Sequence, residues 1–248
     1  SIRWAEHNDW TGATEANPAK WKYKPYGEGK QHVLFGDWQI CFQTYIDLYN
    51  IEAAKGNAAA SEYMVKRAKE TNLYFRDGKY VYPKHKSANG KKDFWARGDG
   101  WVLAGLAKVL QDMPKDYKHY QFFVDKFQKL AKAVADIQQP EGYWTRSMMD
   151  PEHAPGPETS GTAFFTYGML WGVNNGYLNK KEYKKVIDRA WTYLTETAVQ
   201  PDGKVGYVQP IGERAIPGQT VDANSQANFG VGAMLLTACE YDKYLAIK

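Results

Sequence analysis

Two cysteines in 248 residues exclude a disulfide framework and a four-cysteine zinc site. Cys41 and Cys239 both stand in apolar stretches, where a thiol is core rather than nucleophile. Neither sign of charge dominates: 32 Lys and Arg against 28 Asp and Glu leave a net charge of +4. The charges are interspersed and form no basic block, so no nucleic-acid partner is expected. The uncharged runs, 159–179 and 223–239, carry internal Thr, Asn and Gly and have amphipathic neighbours. They argue against a membrane span, and no membrane partner is expected. No apolar leader opens the chain, although a mature protein has lost its leader; the compartment stays open between periplasm and cytoplasm. The five histidines (His7, His32, His85, His119, His153) show no zinc-binding spacing, and no Gly-rich phosphate loop or metal cluster is present. Neither metal nor cofactor is expected.

What the chain has is aromatic and apolar bulk, at 15% and 44% of its residues. That suffices for a large core, and disorder is excluded. Aromatic rings fill cores, and they also form the stacking walls of sugar sites. Uncharged runs alternate with one-faced ones. Tyr120, Phe123, Val124, Phe127, Leu130, Ala131, Val134 and Ile137 recur at helical spacing with Lys and Asp between them. Tyr183, Val186, Ile187, Ala190, Trp191, Leu194 and Ala198 do the same. These are outer helices, whereas the uncharged runs suit helices buried on most sides. Inner helices are expected to open near Asp37, Arg97, Ser160 and Asp222, at spacings of 60, 63 and 62 residues. Turns recur in step as RDGKY (76–80), QPEGYW (139–144) and QPDGKVGY (200–207). The fold expected is all-α, built of helical-hairpin repeats in an open solenoid or a closed α/α toroid. Strand signals are confined to short links at 79–83 and 204–208. The long loops 83–94, 145–157 and 208–221 precede inner helices and suit a binding cleft at one end. The N-terminal ends of the inner helices should face that cleft side by side.

Inner helices hold few charges, and these cluster at the N-terminal ends: Asp37, Arg97, Asp99, Glu158 and Asp222. Glu158 and Asp222 suit helix capping as well as a ligand. Asp37 stands in VLFGDWQICFQTYIDLY among apolar neighbours; burial there raises a carboxyl pKa, as a proton donor requires, and pairing with an arginine is the alternative. In FWARGDGW (94–101), Arg97 lies between Trp95 and Trp101 with two glycines at a helix start. A guanidinium fork between indole faces suits a carboxylate on a stacked ring; a salt bridge to a neighbouring acid is the alternative. Arg76 is a further candidate for holding a carboxylate. Trp144 and Arg146 are expected at the cleft mouth, binding a second sugar. Thr159, Ser160 and Thr162 form a hydroxyl cluster that suits an oxygen-rich ligand or an N-cap. His32 and His85 lie near the cleft-side loops.

WARGDGW resembles the W-x-R-x-x-G-W segment of glycoside hydrolase family 105, the unsaturated rhamnogalacturonyl and uronyl hydrolases related to family 88. ETSGTAFFTYGMLWGVNNGYL (158–178), QPDGKVGYVQPIG, NFGVGAMLLTACEY and LFGDWQICFQTYIDLY resemble further segments of that family, covering most of residues 30–245. The resemblance implies an (α/α)6 toroid and a hydrolase without cofactor. Its substrate would be an oligosaccharide ending in a 4,5-unsaturated uronic acid. An Asp protonates C4, water adds at C5, and the hemiketal opens to release the neighbouring sugar. The two-carboxylate scheme at the anomeric carbon is not used.

By that resemblance residues 1–248 form a single catalytic domain in which four of six hairpins are visible. An N-terminal hairpin and an internal one near 70/71, which carries the family's general acid, are expected to be missing. Asp37, matching the family's supporting Asp, is then the catalytic candidate. The family's His before the Trp-Arg segment has no match; Tyr74 and Arg76 stand near that place. The substrate-binding set expected is Arg76, Trp95, Arg97, Trp101, Trp144, Glu158 and Ser160. A carbohydrate-binding toroid without catalysis and a helical scaffold for protein partners are the alternative functions.

Overall fold

The computed structural model describes residues 2–7, 10, 36–65, 86–212 and 214–246; in 36–43 the helical backbone alone is described. They fall into two compact units, Ser1–Val81 and Tyr82–Lys248. The first unit holds α1 (Ile2–His7) and α2 (Gly36–Ala54). Its small core gathers Ala5, Trp10, Tyr45 and Met64. The Trp10 ring meets Tyr45 and Tyr63 edge-on, at 5.1 and 5.2 Å between centroids. The junction near Glu70–Thr71, where a hairpin is expected to be missing, lies outside the described residues.

The second unit is all-α: α3 (Ala96–Asp112), α4 (Tyr120–Ala135), α5 (Thr159–Asn174), α6 (Lys180–Tyr193) and α7 (Asn228–Ala246). A π-helical turn, Leu194–Ala198, extends α6. Among the described residues β-pairing is limited to isolated bridges, such as Trp95 with Ser147 and Val199 with Val205. No described helix is long and apolar enough to cross a membrane.

The helix α5 is the centre. It packs against α3, α6 and α7, and every residue from Thr159 to Val173 is buried. That is why its sequence carries no charge. Side chains such as Phe165, Met169 and Leu170, fully buried here, each contribute about 1.5–3 kcal/mol. The approach of α5 to α3 needs Gly161, because a Cβ there would lie 2.7 Å from the backbone carbon of Ala96. By contrast α4 buries one face (Phe123, Val124, Phe127, Ala131, Val134), and α6 buries Tyr183, Ile187, Ala190 and Tyr193. The periodicities read from the sequence are met in both.

Of the four inner helices expected side by side, the three of this unit, α3, α5 and α7, pack so through α5. The start of α7 differs: it begins at Asn228, not near Asp222. The Asp222 carboxylate accepts from the Asn224 amide (2.9 Å) and the Ser225 hydroxyl (3.1 Å), which closes a tight turn instead of a helix.

Candidate functional site

The N-terminal ends of α3 and α5 meet the segment 206–210. Glu158 caps α5 and is fully buried. Its carboxylate accepts from the Gly161 amide (2.6 Å), the Ser160 hydroxyl (2.7 Å) and the Gln209 amide (3.1 Å). Arg97, one residue into α3, places its guanidinium 3.6 Å from the same carboxylate. The positive end of α5 and the guanidinium together hold the negative charge of Glu158 in the interior.

Arg97 is 3% exposed. It donates to the carbonyls of Gln209 (2.5 Å) and Pro210 (2.7 Å) and lies 4.5 Å from the ring centroids of both Trp95 and Phe229. Burial pushes its pKa down while Glu158 pushes it up. Expected between Trp95 and Trp101 as an open fork for a ligand carboxylate, it instead spends its fork on the protein backbone. Trp95 is half-buried and donates to the Gln209 side-chain oxygen at 2.7 Å. Trp101, 43% exposed, leaves much of its ring to solvent while its other contacts reach Phe164, 4.2 Å between centroids.

Trp144 is a correction. It was expected at a cleft mouth, but it is fully buried, its indole donating to the Val134 carbonyl (2.8 Å) and meeting Phe165 edge-on at 5.2 Å. The QPEGYW turn folds it back under α5, where its apolar area outweighs any surface role. Arg146 is buried too and donates to the carbonyls of Gln219 (2.8 Å) and Pro155 (2.7 Å). The hydroxyl cluster is spent internally as well: Ser160 on Glu158, Thr159 with the Tyr193 hydroxyl (2.7 Å), and Thr162 on the Glu158 carbonyl (2.9 Å). These groups build the end of the bundle. Asp37 lies on α2, its side chain outside the described residues, as Arg76, Tyr74, His32 and His85 are altogether.

One participant escaped the sequence reading. Gln209 is fully buried; it accepts from Trp95 and donates to Gln219 (2.8 Å) and to the Arg214 carbonyl (3.1 Å). A polar residue within the uncharged GYVQPIG segment was its only signal. Asp99, in the first turn of α3, is half-buried, and its carboxylate has no hydrogen-bond or ion-pair partner among the described residues; burial pushes its carboxyl up to about 6.

The family model for Glycosyl Hydrolase Family 88 matches residues 57–245, which include the Arg97–Glu158 cluster but not Asp37. The chain belongs to Glycosyl Hydrolase Family 88. An unsaturated 3S-rhamnoglycuronyl hydrolase of Formosa agariphila is 41% identical over 176 residues, covering 69% of this chain and 46% of that protein. The chain thus spans less than half the length of that relative. A solved family 88 glycosyl hydrolase from Bacteroides vulgatus is 47% identical, with a TM-score of 0.75 over 98% of this chain and 84% of its own. A second solved structure, described as a polysaccharide lyase, is 54% identical, with a TM-score of 0.77 over 99% of this chain and 83% of its own.

Proposed function

We propose that this protein is a glycoside hydrolase releasing a 4,5-unsaturated uronic acid from the non-reducing end of lyase-generated oligosaccharides. Membership of family 88 across residues 57–245 carries the reading, with the unsaturated uronyl specificity named for the Formosa relative in support. In this reading Asp37 gives a proton to C4 of the enol ether. Water adds at C5, its released proton returning to the Asp37 carboxylate, and the hemiketal so formed opens to a ketone as the neighbouring sugar leaves. The exposed face of Trp101 supplies a stacking surface for a pyranose ring. The 3S-rhamnoglycuronyl group in the relative's name makes unsaturated rhamnoglycuronyl disaccharides the first substrates to test, ahead of pectin- and glycosaminoglycan-derived ones.

A second reading rests on the relative described as a lyase. A lyase creates the C4=C5 bond by removing the C5 proton and expelling the C4 oxygen; the proposed hydrolase consumes it. One absorbance measurement at the conjugated double bond separates them. Unsaturated disaccharides should lose absorbance with this protein, and intact uronate polysaccharide should gain none. A rise on intact polysaccharide makes the lyase reading correct. No change on either, with oligosaccharide binding by calorimetry, leaves the carbohydrate-binding module. In the hydrolase, Asp37→Asn should slow turnover by at least about a hundredfold with KM little changed.

A further inference from the structure

Gln209 to Gln219 forms a loop whose neck is closed by the two glutamine side chains, Nε2 of Gln209 donating to Oε1 of Gln219 at 2.8 Å. Each end of that neck is also held by a buried arginine. Arg97 takes the carbonyls of Gln209 and Pro210, and Arg146 takes the carbonyl of Gln219. Glu158 serves both: it lies 3.6 Å from Arg97, its charge also favours the ionised form of Arg146, and it accepts the Gln209 amide. Two guanidiniums removed from water are costly unless their donors are used: Arg97 spends its fork on this loop, and Arg146 divides its own between the Gln219 carbonyl of the loop and the Pro155 carbonyl. One residue past the Arg97 anchor stands Ile211, 90% exposed. An isoleucine in open solvent is unremarkable alone. Next to an anchored carbonyl it is an apolar group held in a fixed place, at the end of the bundle where Trp95 closes on Gln209.

We infer that Arg97 and Arg146 are positioning residues that lock the base of the 209–219 loop, and that the loop, through Ile211, contacts the apolar face of the sugar that follows the uronate. The first half stands on geometry alone; the second rests on the carbohydrate reading above. The loop carries its own reporter. The Arg214 carbonyl accepts from Gln209 Nε2 at 3.1 Å and Ala215 is buried, so trypsin reaches the 214–215 bond only when the neck opens.

The test measures tryptic cleavage after Arg214 by mass spectrometry in the folded protein. Arg97→Lys and Arg146→Lys keep the charge beside Glu158 but cannot fork across two carbonyls. Each should speed that cleavage about tenfold over wild type, with cleavage in α4 unchanged. For an unsaturated uronyl disaccharide, KM should rise in both variants while kcat stays within about twofold. Ile211→Ser should leave cleavage and melting temperature at wild-type values and weaken calorimetric binding of the disaccharide about fivefold. Unchanged cleavage in both lysine variants overturns the lock. Unchanged binding in Ile211→Ser, or no disaccharide binding by the wild type, overturns the role of the tip. Binding without turnover removes the hydrolase reading and leaves this inference standing.

Discussion

Two buried glutamates sit at opposite ends of the same helical layer, and their carboxylates find partners by different means. Glu158, fully buried, lies at the N-terminal ends of α3 and α5. Backbone amides point out of a helix there, so Gly161, Ser160 and Gln209 supply donors and Arg97 completes the set. Glu240, 6% exposed, lies toward the C-terminal ends. Free carbonyls point out there, and the carboxylate must borrow donors from side chains: Asn174 at 2.8 Å and the Lys243 ammonium at 2.6 Å. Lys243 is 63% exposed, and a cavity of about 410 Å³ opens among Gln111, Trp171, Asn174, Asn175, Glu240 and Lys243. Helix polarity thus makes one end a dry, backbone-built charge cluster and the other a wetter one built from side chains.

The comparison breaks most sharply at Glu158. Glu158→Gln keeps the shape but leaves Arg97 and Arg146 without a counter-charge and turns an amide NH2 toward amide donors. The expected loss is about 3–5 kcal/mol in urea denaturation. A loss below about 1 kcal/mol would show that the helix ends and carbonyls suffice to hold the guanidiniums.

Asp99 sharpens the point, since it shares the N-terminal end with Glu158 but lacks its donors. Its carboxyl rises from the ordinary 3.8 to about 6 on folding. The folded state therefore holds the proton longer, and the contribution of Asp99 to stability falls as pH rises from about 4 to about 6. Asp99→Asn should gain on the order of 1–3 kcal/mol at pH 7 and flatten the stability profile over that window. A thermal-melt series from pH 4 to pH 8 reads both, and a profile as steep as wild type would remove Asp99 as its cause.

At the other end the effects should be smaller. Glu240→Gln keeps an acceptor for Asn174 and loses a pair whose lysine is mostly in water, so about 1 kcal/mol is expected by the same denaturation. Smallest is Lys132→Ala on α4. Its pair with Asp136 at 3.0 Å has side chains 72% and 58% exposed, and a change under about 0.5 kcal/mol is expected. A larger loss at Lys132 than at Glu240 would contradict the argument that burial, not pairing, sets the scale.

Much of the helical layout was legible beforehand. The uncharged run from Thr159 demanded a helix covered on all sides, and α5 is that helix. The spacing of Phe123, Phe127 and Val134 demanded one buried face, and α4 has it. The site was legible only as a neighbourhood. WARGDGW and ETSG do come together, with Arg97 beside Glu158. That Arg97 would turn to carbonyls 112 and 113 residues away, and not outward, could not be read from its flanking tryptophans.

The sequence by itself determined the class of the fold, the face that each hairpin helix buries and the family, because periodicity and segment patterns are properties of neighbouring residues. Tertiary structure alone decided which charges pair. Arg97, Arg146, Glu158 and Gln209 come from separate loops and helix ends, and a buried charge takes whatever donor or acceptor the packing of α3 on α5 brings within reach. It also decided that Trp144 lies inside, since a ring on a turn can fold under a helix or stand out from it, and only the space beneath α5 selects between them.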